Sequence, residues 1–209
     1  MQLDFSPPDA EACDALAALH RESLPTSALS ALGGKFLRAF YRFAAHSPDE
    51  RVIVCRQGNV VLAGALISFH PNTLNRRILF KTPLIWAALL NFHRRAVRRA
   101  VFGRSQLQWK APDIPRPATP APELLALFSR ASSRGQGIGS ELIAHIDTQL
   151  ALVGVSRYFV RTLEAQDNPA LRFYIRHGFS PVGRLETHGE KFTLLSKELT
   201  PDVKADCSA

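Results

Sequence analysis

Along the first part of the chain, apolar positions recur at helical spacing twice. Ala12, Leu16 and Leu19 share one face of residues 9–22, and Leu32, Phe36, Phe40 and Ala44 share one face of residues 32–45, so the pattern predicts a pair of helices. Between them, ESLPTSALSALGG holds Pro25, Ser and Thr caps and two glycines, a loop composition with room for a short turn. The period then shortens. RVIVCR (51–56) and VVLAGALISF (60–69) are runs of β-branched and aliphatic residues parted by QGN, which predicts an antiparallel hairpin.

From Glu123 the alternation is regular again. ELLALFS (123–129) reads as a strand, a glycine-rich loop follows, and Ile138, Leu142, Ile146 and Leu150 mark one face of a helix over 138–153. RYFVRTLE (157–164) is the next strand, which completes a β-loop-α-β unit. In DNPALRFYIRHGF, Asn168 can cap a short helix, Pro169 suits its first turn and Gly178 suits a left-handed exit. SPVGRLETH and EKFTLLSKEL then alternate around His188-Gly189 as a closing hairpin, with residues 201–209 expected to fray.

Residues 71–122 interrupt this order. Pro83 to Phe102 predicts a helix, and APDIPRPATPAP (111–122), with five prolines, predicts an extended connection. The segment therefore reads as an insertion in a single domain spanning 1–200. A chain of 209 residues, 46% hydrophobic, is large enough to fill one core.

Charge sharpens the picture of the insertion. The net formal charge is +8, and between Pro71 and Ser105 stand Arg76, Arg77, Lys81, Arg94, Arg95, Arg98, Arg99 and Arg104 with no acid. The rest of the chain is balanced, 18 basic against 18 acidic residues. On a helix over 83–102, Arg94, Arg95, Arg98 and Arg99 would form a cationic rim opposite Leu89, Ala96, Val97 and Ala100. Three readings stand: a solvated face; contact of 83–104 with an anionic membrane surface, anchored by Trp86 and Phe92; and recognition of a phosphate-bearing acceptor. A pI near 9.9 also raises nucleic-acid binding, but no reader motif accompanies the arginines, and no nucleic-acid partner is expected.

Other classes are set aside on composition. The acidic, proline-bearing start MQLDFSPPDAEACD lacks a signal-peptide pattern, and the apolar run from Pro83 to Phe92 is far shorter than the roughly 20 residues that cross a bilayer. Cys13, Cys55 and Cys207 are widely spaced, and the seven histidines show no ligand spacing. Neither a disulfide framework nor a metal site is expected, and a cytoplasmic location fits.

The chemistry concentrates in SSRGQGIGSELI (132–143). Alternate glycines at a helix start let several N–H groups converge on one anion, where the helix dipole favours negative charge, so the natural guest is a phosphate. A P-loop needs a lysine after its last glycine and none is present. A dinucleotide site would use Gly135, Gly137 and Ser140 with Glu164 on the ribose. Five residues separate Ser129 from Gly135, however, and too little chain remains for the second half of such a sheet.

RGQGIG (134–139) resembles the [R/Q]xxGx[G/A] signature of the GCN5-related N-acetyltransferases (GNAT), whose loop wraps the pyrophosphate of acetyl-coenzyme A. NPALRFYIRHGF resembles the family's second signature, which ends F-Y-x-x-x-G-F, with Phe173, Tyr174, Gly178 and Phe179 in place and Asn168 ahead of them. Ala131 and Ser133 stand where the family often has proline and an aromatic. The likeness is close from Glu123 to Phe179, and looser in element order elsewhere.

The resemblance implies an α/β (mixed α+β) fold: a mostly antiparallel sheet flanked by helices and splayed near its middle, with the basic insertion between a third and a fourth strand. It implies acetyl-coenzyme A as cosubstrate and direct attack of a primary amine on the thioester, without metal. Such a reaction needs a base, an oxyanion donor and an acid. The family pattern puts Tyr174 as acid and Glu123 as base, with Glu164, His70 and His188 as alternatives for the latter. Leu127, Phe128 and Ser129 would pair with the pantetheine arm, and Arg134, Gly135, Gln136, Gly137, Ile138, Gly139 and Ser140 would surround the pyrophosphate. Asn168 would either reach the pantetheine or serve only as a cap. The acceptor is expected to be a small-molecule amine, with amino sugars and nucleotide-linked amino sugars ranked first. A peptide or protein amine, and a non-catalytic acyl-coenzyme A sensor, remain as alternatives.

Overall fold

The computed structural model describes residues 3–5, 7–81, 121–187 and 190–199. The expected helix over 83–102, the proline-rich connection up to residue 120, the tail and His188 fall outside these residues.

The opening helices form where the periodicity puts them. α1 runs Ala10–Ser23, and Asp9 caps it by accepting from the Ala12 amide at 2.7 Å. A short α2, Ala28–Ala31, forms within the expected loop behind the Ser27 cap, and α3 runs Gly34–Ala45. Leu32 lies just before α3 because Gly33, at φ 94°, turns the chain there. The hairpin follows as β1, Glu50–Gln57, and β2, Val60–Ser68.

A helix not legible in the pattern comes next. α4, Pro71–Lys81, buries Leu74 and Ile78 in the core that also holds α1 and α3, and Arg77, beside that stripe, reaches the buried Glu50 carboxylate and Asp49. One of the eight cationic residues between Pro71 and Ser105 is thus neutralised by the fold instead of contributing to a free basic face.

The second half supplies β3, Glu123–Ser129, a single 3-10 turn at Ala131–Ser133, α5, Ile138–Leu152, β4, Arg157–Leu163, α6, Pro169–Arg176, β5, Ser180–Thr187, and β6, Glu190–Glu198. The six strands form one sheet in the order β1-β2-β3-β4-β6-β5, and only the β3–β4 pair is parallel. This is a mixed α/β domain with a mostly antiparallel sheet. The insertion falls between the second and third strands. In the place of an additional first strand, Asp4 makes an isolated bridge to Arg56 at the outer edge of β1.

Helices cover both faces. α1 and α3 bury Leu16, Leu37, Phe40 and Tyr41 against Val52, Val54, Leu66 and Phe128, while α5 and α6 bury Ile138, Leu142, Ile146 and Tyr174 against Cys55, Ala63, Tyr158 and Leu195. Gly64 sets the approach of α1 to β2: a Cβ there would lie 2.3 Å from Leu16 Cδ2 and 3.3 Å from Phe128 Cζ. Among the described residues, no helix is long and apolar enough to cross a membrane.

Candidate active site

The sheet opens where its two parallel strands part. β3 and β4 are in register only at Glu123–Phe159 and Leu124–Val160, helped by the Phe159 amide on the Pro122 carbonyl at 2.9 Å. Beyond that point β3 continues along β2 as far as Ser129, and β4 continues along β6, so each keeps one partner and exposes one edge. The result is a V-shaped gap between strands, closed at Glu123.

Parity decides which groups face the gap. The Arg130 amide bonds the Leu62 carbonyl at 2.7 Å, so the backbone groups of Phe128, two residues back, also face β2. Those of Leu127 and Ser129 therefore face the gap. Ser129's carbonyl there accepts from Ser23 Oγ at 3.2 Å, at the end of α1. Phe128 is placed differently from its neighbours: its ring is buried beside His20 and Tyr41, and its backbone is spent on β2.

At the mouth of the gap lies the glycine loop. Gly135 and Gly137 take φ of 78° and 82°, the left-handed region open to glycine, and Gly137 caps α5 with no side chain to satisfy its first turn. Ser140 and Glu141 amides bond the Gly137 carbonyl. The five amides from Gly135 through Gly139 donate to no other described residue. A run of N–H groups without a described partner, at the positive end of a fifteen-residue helix, is an arrangement suited to an anion. Arg134 is exposed beside it, Gln136 braces the turn by donating to the Ser132 carbonyl at 3.1 Å, and Ile138 anchors it in the core. Diphosphate chemistry fits this donor set.

α6 leans on the start of α5. A Cβ at Gly139 would be 3.2 Å from the Phe173 ring, and His177 Nε2 lies 2.9 Å from Ser140 Oγ. Asn168 builds the other end of α6. Its Oδ1 accepts from Ala170 and Leu171, while its Nδ2 donates to Thr162 Oγ1 and to the Leu163 carbonyl. An amide so engaged fixes α6 to the end of β4 and leaves no free group for a ligand.

Tyr174 stands out among the chain's three tyrosines. Tyr41 Oη lies 2.7 Å from His20 Nδ1 and Tyr158 Oη donates to Asp147 at 2.8 Å, whereas the Tyr174 hydroxyl has no hydrogen-bond partner among the described residues. Its ring is buried against Phe173 and Phe179, and burial pushes its phenol well above the ordinary tyrosine range. It is therefore a protonated phenol whose hydroxyl no described residue occupies.

Glu123 is placed at the apex of the gap, 9% exposed, with both oxygens accepting from Arg161. This ion pair clasps β3 to β4 at the point of divergence. Of the alternatives, Glu164 pairs with Arg184 at 3.3 Å, and His70 faces Asp49 at 3.7 Å in the cluster holding α4. Sequence reading missed Arg161, Ser23 and His177, each of which contacts a site residue across more than 30 positions of chain. Among the described residues, no group of three His, Cys, Asp or Glu side chains is placed to hold a metal ion.

Comparison with known proteins agrees with this geometry. Residues 106–181 match the model of the Acetyltransferase (GNAT) domain. No curated protein sequence matches the chain. Similar solved structures include a GCN5-related N-acetyltransferase from Kribbella flavida, with 15% identity over 94% of this chain and 98% of that one, TM-score 0.59. The ribosomal-protein-S18-alanine N-acetyltransferase of Escherichia coli is similar at 10% identity over 100% and 99% of the two chains, TM-score 0.58. The PaiA N-acetyltransferase of Thermoplasma acidophilum, solved in complex with coenzyme A, is similar at 12% identity over 95% and 99%, TM-score 0.53. At such identities the likeness is one of fold. The GNAT domain match spans residues 106–181, including the glycine loop, and the chain shares the fold of these N-acetyltransferases over nearly its whole length.

Proposed function

We propose that the protein transfers an acetyl group from acetyl-coenzyme A to a primary amine of a small-molecule acceptor by direct attack. The observation that carries this reading is the conjunction of five amides at Gly135–Gly139 with no described partner and a strand gap that opens toward them from Glu123. Those amides would hold the pyrophosphate, with Arg134 adding charge. The Leu127 backbone and the Ser129 amide would pair with the pantetheine arm as an added strand does. An N–H of this edge would meet the developing oxyanion.

Proton traffic follows from the side chains. The amine nitrogen bonds to the carbonyl carbon, the carbon–sulfur bond breaks, and Tyr174 gives its proton to the departing thiolate. Its buried position favours the protonated form that this role requires. Glu123 is assigned the base, reached through water, although Arg161 already engages both its oxygens. Glu123→Gln separates this role from that of a strand clasp. Loss of a base lowers kcat with little change in melting temperature, and loss of a clasp lowers the melting temperature.

Amino sugars and nucleotide-linked amino sugars head the acceptor classes, because the cationic residues of the insertion suit a phosphate-bearing acceptor. The test is a panel of amines, amino sugars, nucleotide-linked amino sugars and peptides scored by thiol release from acetyl-coenzyme A. Turnover with a small-molecule amine supports the proposal; turnover only with peptides moves it to a protein amine. Cofactor binding with no turnover on any acceptor makes the chain a sensor.

A further inference from the structure

The contact between α6 and α5 does more than pack two helices. His177 sits at the end of α6, its ring 4.3 Å from that of Phe173, with Nδ1 2.7 Å from the Phe173 carbonyl and Nε2 2.9 Å from Ser140 Oγ. A carbonyl can only accept, so Nδ1 carries hydrogen in this arrangement. The state of Nε2 then decides what Ser140 can do. A neutral ring accepts at Nε2, which commits the single hydroxyl proton of Ser140 to His177 and turns oxygen lone pairs toward the loop. A protonated ring donates at Nε2 into the Ser140 oxygen and frees that proton for another acceptor.

Ser140 is three residues past the Gly137 cap, immediately after the run of amides without a described partner. We infer that His177 is a positioning residue of the pyrophosphate loop: binding of the diphosphate draws a proton from solvent onto His177, and Ser140 turns its hydroxyl from the imidazole to a phosphate oxygen. This rests on the reading of the loop as a coenzyme A site. The chain from His177 through Ser140 to phosphate is charge-assisted in the bound state, whereas the neutral ring leaves lone pairs facing an anion.

The charged groups on the packed elements are Arg172 and Arg176 on α6, Glu141 in the first turn of α5, Arg134 in the loop, and Lys197 on β6, which is paired with Asp147. The Ser140 contact is the route from imidazole to ligand. Because binding takes up a proton, affinity should weaken as pH rises.

The experiment uses the full chain and dephospho-coenzyme A, which retains the diphosphate but lacks the phosphate monoester that would itself titrate near pH 6. Calorimetry near pH 7 in two buffers of different ionisation enthalpy should show uptake of a fraction of a proton. The Kd should be roughly fivefold to tenfold tighter at about pH 6 than at about pH 8. Ser140→Ala, which leaves His177 and its carbonyl contact in place, should abolish the uptake and flatten the pH profile, and His177→Gln should do the same. Binding by the native chain without proton uptake, or uptake that survives in Ser140→Ala, would overturn this inference alone. Failure of the native chain to bind at all would overturn the diphosphate site and this inference with it.

Discussion

Replacing Tyr174 by phenylalanine removes one oxygen atom and should separate catalysis from stability. The hydroxyl forms no hydrogen bond with any described residue, so folding forfeits none, and the ring contacts with Phe173 and Phe179 survive. The stability change should stay within about 0.5 kcal/mol. Tyr158→Phe is the internal comparison, because it breaks the 2.8 Å bond to Asp147, a charged acceptor also held by Lys197, and should cost about 1.5–2 kcal/mol. The kinetic order is reversed. Loss of a general acid should lower kcat of Tyr174→Phe by roughly a hundredfold, equivalent to about 2.7 kcal/mol of barrier, with the Kd for coenzyme A unchanged. Steady-state thiol release and thermal denaturation of both variants supply the four numbers needed. A thioester with a more acidic leaving thiol should recover part of the lost rate, since that thiolate needs less protonation. Full turnover in Tyr174→Phe would refute the acid role, and a stability loss matching that of Tyr158→Phe would show that the hydroxyl has a structural partner.

Other variants probe the frame around the site. Gly64→Ala must displace the buried Leu16 side chain and should cost about 1–3 kcal/mol by denaturant unfolding. Gly137→Ala forces a side chain into the left-handed region at φ 82° and should weaken coenzyme A binding by roughly tenfold in calorimetry, with a smaller effect on acceptor KM. Burial lowers His20 from 6.5 to about 4, so it folds as a neutral ring bonded to Tyr41 and Ser27. A depressed histidine contributes stability above its unfolded value and loses it as pH falls from about 6.5 toward 4, to an extent of about 3 kcal/mol. Urea unfolding across that range should show the slope in the native chain and a flatter line in His20→Gln.

Local rules carried much of the fold because neighbours in sequence settle it. Asp9 and Asn168 cap helices whose first amides are two or three residues away, and Gly178 exits α6 at φ 84°. β3 spans the whole of ELLALFS because its apolar run ends where the glycine loop must begin. α4 is hidden in the sequence pattern, since Arg77 interrupts the apolar stripe of Leu74 and Ile78 and finds its partner Glu50 27 residues away. The catalytic candidates divide the same way. Tyr174 follows from a motif on one helix, but its unoccupied hydroxyl depends on what the fold leaves around it. The Arg161 clasp on Glu123 joins residues 38 apart and arises only when β4 arrives beside β3, whereas Asn168 finds all its partners within six residues, where the turn from β4 into α6 and not a residue pattern sets them.

If the amides of one loop bind a diphosphate, their chemical shifts during a coenzyme A titration of the 15N-labelled chain must report it. The account predicts saturable shifts that are largest at Gly135, Gln136, Gly137, Ile138 and Gly139, with a second group at Leu127 and Ser129 along the gap. Saturation with those seven amides unmoved, or no saturable shift anywhere, would contradict it.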